Sequence, residues 1–292
     1  MYPWNQARSL LRWAFTRCGV ATALMAIAPA AHTARAAPAS QTMVVCSPGS
    51  PGTTDEAQPR MDMFAAAVSA RSGTPITAVY EPSDEGGVAR LATASLALVS
   101  LPFFLAHEQA LGLHARLQVV ARGRPALERW VLVAQKGRIK AAAGLAGFSI
   151  VSSVAFAPAF IRGPVLGGFG ALPASTTLVS STAVLSALRR AADGAPVAVL
   201  LDATQEASLA ALPLGSRLEV VARSPALPAA LVATIDARLP AKTWTGIEAA
   251  LRGLGSDQAG RAALGALQLS GFVAVDDKVL GAARKAFADA SR

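Results

Sequence analysis

The chain has 292 residues, 53% hydrophobic and 15% charged, with a formal net charge of +9. Intrinsic disorder needs low hydropathy and high net charge, so it is excluded for most of the chain. Apolar runs beyond residue 40 are interrupted by Arg, Asp, Pro or Gly, and none approaches the ~20 residues of a membrane span.

Residues 1–36 have the pattern of a signal peptide. Arg8, Arg12 and Arg17 form a basic stretch without acids, Cys18–Pro29 is apolar, and Ala34-Arg35-Ala36 fits the small-x-small cleavage rule. Arg17 directly before Cys18 argues against a lipid-modified cysteine. Cleavage near Ala36 removes four arginines and no acid, which lowers the charge from +9 to +5. It also leaves Cys46 as the one cysteine, so stability rests on a packed core and not on an intrachain disulfide. The remaining basic residues are scattered, with no aromatic-interleaved stripe for a nucleic acid. Cys46, His107 and His114 lack metal-site spacing.

From residue 42 strands and helices alternate. Thr42–Cys46 reads as a strand, followed by a turn-rich Ser47–Gly52 and a helix that Asp55 is placed to cap. Met61, Phe64, Ala65 and Val68 form one apolar stripe of that helix, and Gly73 stops it. Ile76–Tyr80 and Leu96–Ser100 are strands, with a short helix around Val88–Ala92 between them. Pro102 and Phe103 open a helix ended by Gly112. Leu117–Ala121 and Trp130–Ala134 are strands flanking the basic turn Arg122-Gly123-Arg124-Pro125. Phe148–Ser152, Thr177–Val179, Pro196–Leu201 and Leu218–Ala222 are expected as strands, the last being the final one. Ala157–Leu166 reads as helical, and so does Thr182–Ala192, with Leu185 and Leu188 inward. Four helical segments close the chain, near Pro228–Arg238, Thr243–Leu254, Asp257–Leu267 and Asp276–Asp289.

Apolar, non-alternating strands interleaved with helices imply α/β lobes with parallel sheets covered on both faces. Two runs, about 42–121 and 130–222, imply two lobes. The closing helices then return to the first. The expected division is a signal peptide at 1–36, lobe one from 37–130 plus 222–292, and lobe two from 131–221.

The order of these segments resembles the phosphate/phosphite/phosphonate-type solute-binding proteins of ABC transporters. Leu96–Phe104 is similar to that family's stretch at the end of a first-lobe strand. Trp130–Val133 with Gly144–Ile150 resembles its crossing into lobe two. Ala198–Asp202 resembles a strand ending in Asp, and Val221–Pro228 the return crossing with Ser-x-x-x-Pro. Trp244 and Phe272 stand where members carry closing-helix aromatics. The resemblance implies the type 2 periplasmic-binding-protein fold, with two crossings and C-terminal helices packed on lobe one. It also implies an exported, non-enzymatic protein in the periplasm that delivers a small solute to an ABC permease, without cofactor or metal. Its contact with the membrane is through that permease or an uncleaved signal. Where members hold the anion on a hydroxyl-rich loop, this chain reads Ser152-Ser153-Val154-Ala155-Phe156-Ala157-Pro158, with two serines and then apolar residues.

Open α/β sheets bind ligands beyond the carboxyl ends of their strands. The residues so placed are Ser47, Tyr80, Glu81, Ser100, Ser152, Ser153, Asp202 and Thr204, and these are the expected ligand contacts. Asp202 serves equally well as the cap of the next helix. The acidic Glu81 and Asp202 oppose a bare anion, so the set suits an oxyanion with a cationic end. Two alternatives share the sequence: a periplasmic sensor or accessory subunit on the same fold, and a hydrolase. The hydrolase lacks a G-x-S-x-G elbow and an evident Ser/His/Asp set.

Overall fold

The computed structural model describes residues 39–50 and 52–292; the expected signal peptide lies outside the described residues. The first stretch runs β1 (Gln41–Cys46), α1 (Thr54–Ser72), β2 (Ile76–Glu81), α2 (Asp84–Leu91), β3 (Leu96–Ser100), α3 (Leu101–Leu111) and β4 (Leu113–Ala121). The cap of α1 is Thr53, two residues before the expected Asp55. Its hydroxyl accepts from Glu56 N–H at 3.3 Å, and its own N–H donates to Glu56 Oε2 at 2.9 Å, a capping box. Gly73 and Gly112 end α1 and α3 at φ +66° and +63°. The stripe Met61, Phe64, Ala65 and Val68 is the buried face of α1.

The middle stretch comprises β5 (Val131–Gln135), β6 (Ser149–Ser152), α4 (Pro158–Phe160, continued by a π-helical turn Ile161–Val165), β7 (Thr177–Ser180), α5 (Val184–Ala192), β8 (Val197–Leu201), α6 (Ala203–Leu209) and β9 (Leu218–Arg223). Ala187, Leu188, Ala191 and Ala192 are the buried face of α5. Leu185 is 43% exposed, contrary to expectation, because the inward stripe begins two residues later.

The last stretch departs from the sequence reading. It holds β10 (Ala230–Ile235), α7 (Ala241–Arg252), α8 (Gln258–Ala266), β11 (Leu269–Ala274) and α9 (Asp277–Ala290). The segment read as a helix near Pro228–Arg238 is therefore a strand, and Leu218–Ala222 is not the final one. β10 lies antiparallel between β3 and β4, where its apolar side chains are buried on both faces. β11 is an edge strand paired with β4 alone.

Two sheets result, ordered β11-β4-β10-β3-β1-β2 and β7-β6-β8-β5-β9. Neither is wholly parallel. Only the pairs β1–β2, β1–β3, β6–β7 and β6–β8 are parallel. The antiparallel pairs arise where the chain crosses between sheets. β4 continues into β5 and β9 returns as β10, so that β4 lies beside β10 in the first sheet and β5 beside β9 in the second. Between the sheets the two crossings stay paired. Glu128 and Leu227 exchange backbone hydrogen bonds at 2.8 Å, and Ser224 N–H donates to the Trp130 carbonyl at 2.9 Å. The Trp130 N–H donates to Ser224 Oγ at 2.9 Å. A two-stranded antiparallel ribbon thus joins the sheets.

One face of the first sheet packs on α1, α7 and α8 through Phe64, Trp244, Ile247 and Phe272. The other carries Phe103 and Phe104 of α3, in a core that runs on through Phe160 to Leu132 and Ile150 of the second sheet. α9 does not simply join α7 and α8. Its chief neighbour is the 158–165 segment, and its Leu280 belongs to this shared core. Small residues allow that approach: a Cβ on Gly163 would sit 2.1 Å from the Ala286 carbonyl oxygen.

Candidate functional site

A cavity of about 240 Å³ lies at the ribbon, between the strand ends of the two sheets. Ser47, Ser50 and Ser100 line it from the first sheet's side, and Ser153, Asp202 and Thr204 from the second. Glu128, Arg129 and Trp130 of the first crossing form its back. Five of the eight residues expected at the ligand are therefore gathered here: Ser47, Ser100, Ser153, Asp202 and Thr204.

Three are placed elsewhere. Ser152 is fully buried. Its hydroxyl donates to the Leu200 carbonyl at 3.2 Å and accepts from Val154 N–H at 3.4 Å. It therefore ties the turn after β6 to β8, and Ser153 alone faces the cavity. Tyr80 points to the α1 side of its sheet with Ala78, and lines a different cavity. Glu81 is held by the Ser83 N–H and hydroxyl and by Arg90 Nε at 3.2, 2.7 and 3.0 Å. Burial pushes its carboxyl up, but these bonds outweigh it and leave it below the ordinary range.

Two features give the cavity its chemistry. Ser100 is the N-cap residue of α3, yet its side chain makes no capping bond. Its Oγ is buried without a hydrogen-bond partner, an arrangement that costs about 1–3 kcal/mol unless a ligand completes it. The Leu101 N–H is taken by the Ala229 carbonyl at 3.1 Å, and Pro102 has none. The Ser100 hydroxyl is thus the donor this helix start presents to the cavity. The helix dipole favours an anion there.

The second feature is acidic. Asp202 Oδ1 accepts from Gln205 N–H at 2.8 Å, and the Asp202 N–H donates to Gln205 Oε1 at 3.1 Å. Asp202 therefore caps α6 and lines the cavity as well. Burial raises the Glu128 carboxyl above the ordinary range; Arg124 opposes this and Asp202 adds to it. Between the ordinary and the raised value, folded Glu128 holds a proton that the unfolded chain has released. Stability attributable to Glu128 then falls as pH rises through that window. Glu128→Gln, which does not titrate, should gain melting temperature over wild type as pH rises across it. A difference that is flat or shrinking with rising pH contradicts this.

The lobes touch at the cavity's edge. Gly49 has φ +81°, and a Cβ there would lie 2.3 Å from the Ser153 carbonyl oxygen. His107 is engaged elsewhere, with Nε2 2.8 Å from Asp84 Oδ1 and its ring 4.6 Å from that of Phe103. Cys46 is fully buried. Burial, then Glu81 and Asp84, push its thiol up to about 12, so it does not act as a thiolate.

Residues 171–280 match the family model of the ABC transporter, phosphonate, periplasmic substrate-binding proteins. The matched span runs from the second sheet through the return crossing into α9. The resemblance read from the residues is borne out. Solved structures agree in fold. XAC2383 from Xanthomonas citri, bound to chloride, superposes with TM-score 0.68 at 14% identity, covering 86% of this chain and 98% of that one. A binding protein component of an ABC phosphonate transporter from Pseudomonas aeruginosa has TM-score 0.59 at 14% identity, covering 86% and 89%. PhnD1 from Prochlorococcus marinus, in complex with methylphosphonate, has TM-score 0.59 at 14% identity, covering 84% and 98%. No curated protein matches. The chain has the two-lobed periplasmic-binding-protein fold. Within it, the sequence reading missed Glu128, Arg129 and Trp130. They lie on the first crossing, where the pairing with residues 224–227 brings them to the cavity.

Proposed function

We propose that this protein is the solute-binding component of an ABC-type importer, and that it captures a small oxyanion in the cavity at the ribbon. The observation that carries this reading is the buried, unpartnered Ser100 hydroxyl at the start of α3. The family match supports the importer assignment, with a permease as protein partner. The same match supports a binding protein over an enzyme and a periplasmic location, and the basic, apolar and small-x-small pattern of residues 1–36 supplies the route of export. No helix among the described residues is long and apolar enough to cross a membrane.

The proposed division follows the sheets, with 131–221 as lobe two and the flanking segments as lobe one. Ser153 and Thr204 face the anion held by Ser100 across the cavity, and motion about the paired crossings opens and closes that gap. Asp202 and Glu128 select for a ligand with a cationic end beside its oxyanion. The lobe-two turn after Ser153 supplies Val154 to the wall, which suits an alkyl portion. A thermal-shift series with methylphosphonate, 2-aminoethylphosphonate, phosphate and methanesulfonate tests this. Stabilisation by at least one of them is expected, by ~2.7 kcal/mol at a hundred times its dissociation constant. No shift from any of the four at millimolar concentration sinks the reading.

A further inference from the structure

A larger cavity, about 590 Å³, lies wholly within the first lobe, between the start of α1 and the α8–β11 turn. Its walls are apolar: Val45, Met61, Leu98, Leu267 and Leu269. Among its polar lining residues Thr53, Glu56, Arg60, Tyr80 and Gln268, Tyr80 and Arg60 suit a ligand with two polar ends. Tyr80 is 92% buried, with 8% relative exposure, and lines the cavity from the end of β2. Arg60 is exposed at the mouth. The acid one helical turn before it, Glu56, is turned to the Thr53 N–H instead, and Arg60 pairs with no carboxylate among the described residues.

We propose that this cavity is a second binding site, beside the cleft and sharing only Leu269 with its lining, for an aromatic carboxylate that carries a polar ring substituent. The carboxylate meets Arg60 at the mouth. The ring lies on Met61, Leu98 and Leu269, whose burial against a flat apolar body supplies the driving force. The substituent reaches the Tyr80 hydroxyl at the floor. A bare apolar ligand leaves both polar groups unpaired, and a small inorganic anion leaves the walls wet. Charge and shape together therefore select the amphiphile. This site does not depend on the oxyanion reading of the cleft.

The test uses calorimetric titration of the full protein with 6-hydroxy-2-naphthoate and with 2-naphthoate. Saturable one-to-one binding is expected for the first, and binding ~2–10-fold weaker for the second, the worth of one neutral hydrogen bond. Tyr80→Phe should erase that difference. Arg60→Gln should weaken both about tenfold, the loss of one charged contact. Ala57→Trp, at the α1 wall of the cavity, should abolish binding, with circular dichroism and melting temperature showing an intact fold. Ser100→Ala, in the cleft, should leave naphthoate binding unchanged. Absence of saturable binding to wild type overturns the proposal. So does binding that survives Ala57→Trp, or binding that is lost in Ser100→Ala or displaced by methylphosphonate.

Discussion

Replacing Gly49 by alanine is expected to weaken ligand capture about tenfold or more, with a loss of stability of comparable size. The new Cβ would fall 2.3 Å from the Ser153 carbonyl oxygen across the cleft. Real Cβ contacts do not approach so closely, so loop and turn must part whenever the lobes close. Affinity falls in proportion to the closed population, and each ~1.4 kcal/mol added to closure is a factor of ten. The stability loss has a separate origin, the cost of ~1–2 kcal/mol for a side chain at positive φ. Titration of Gly49→Ala beside wild type, with the cleft ligand found by thermal shift, separates the two effects. Equal affinities would show that the Gly49–Ser153 contact is not made in the ligand-bound state.

Phe64→Ala is expected to be strongly destabilising. Phe64 is fully buried on the α1 stripe, and its ring centroid lies 6.1 Å from that of Phe272. Removing such a ring costs ~3–5 kcal/mol in lost burial and residual cavity, a large share of a typical total of ~5–15 kcal/mol. At ~2–4 °C per kcal/mol the melting temperature should fall by about 6–20 °C. A fall of under 3 °C would mean that α1 is not anchored through this residue. The same core holds Trp244 and Ile247 of α7, so the change should loosen α7 as well, read as faster amide exchange there.

Much of the fold was legible where the pattern was local. The α1 stripe, its Gly73 stop and the apolar run Leu96–Ser100 each carry their own signal, through 3.6-residue periodicity, a left-handed cap and burial on both faces. The errors fall where pairing decides. Ala230–Ile235 is a short apolar run behind Pro228, equally suited to helix or strand. Only the gap between β3 and β4 makes it a strand. β11 contains Gly271 and exposed positions, and it is held at a sheet edge by β4 alone, so no strong local pattern announces it. The parallel-sheet expectation failed for the same reason, because the ribbon that joins the sheets reverses strand direction on both sides.

The site divides similarly. Ser100, Ser153 and Asp202 follow from their places just after strands. Ser152 and Tyr80 were misplaced by a single step of the pleat, because neighbouring strand residues face opposite ways. A strand end read from sequence is uncertain by that much. Glu128 to Trp130 were missed because a turn rich in Arg, Gly and Pro gives no sign of pairing with a segment about a hundred residues later.

The most direct test of the oxyanion cleft is a calorimetric titration of wild type and Ser100→Ala with methylphosphonate. The account predicts one saturable site in wild type. In the variant it predicts binding weakened by a factor of about 10–150, the worth of one hydrogen bond to a charged group at ~1.5–3 kcal/mol, at an unchanged or higher melting temperature, since the variant removes an unpartnered buried hydroxyl. Equal binding by the two proteins would contradict it, and so would a wild type that binds no methylphosphonate.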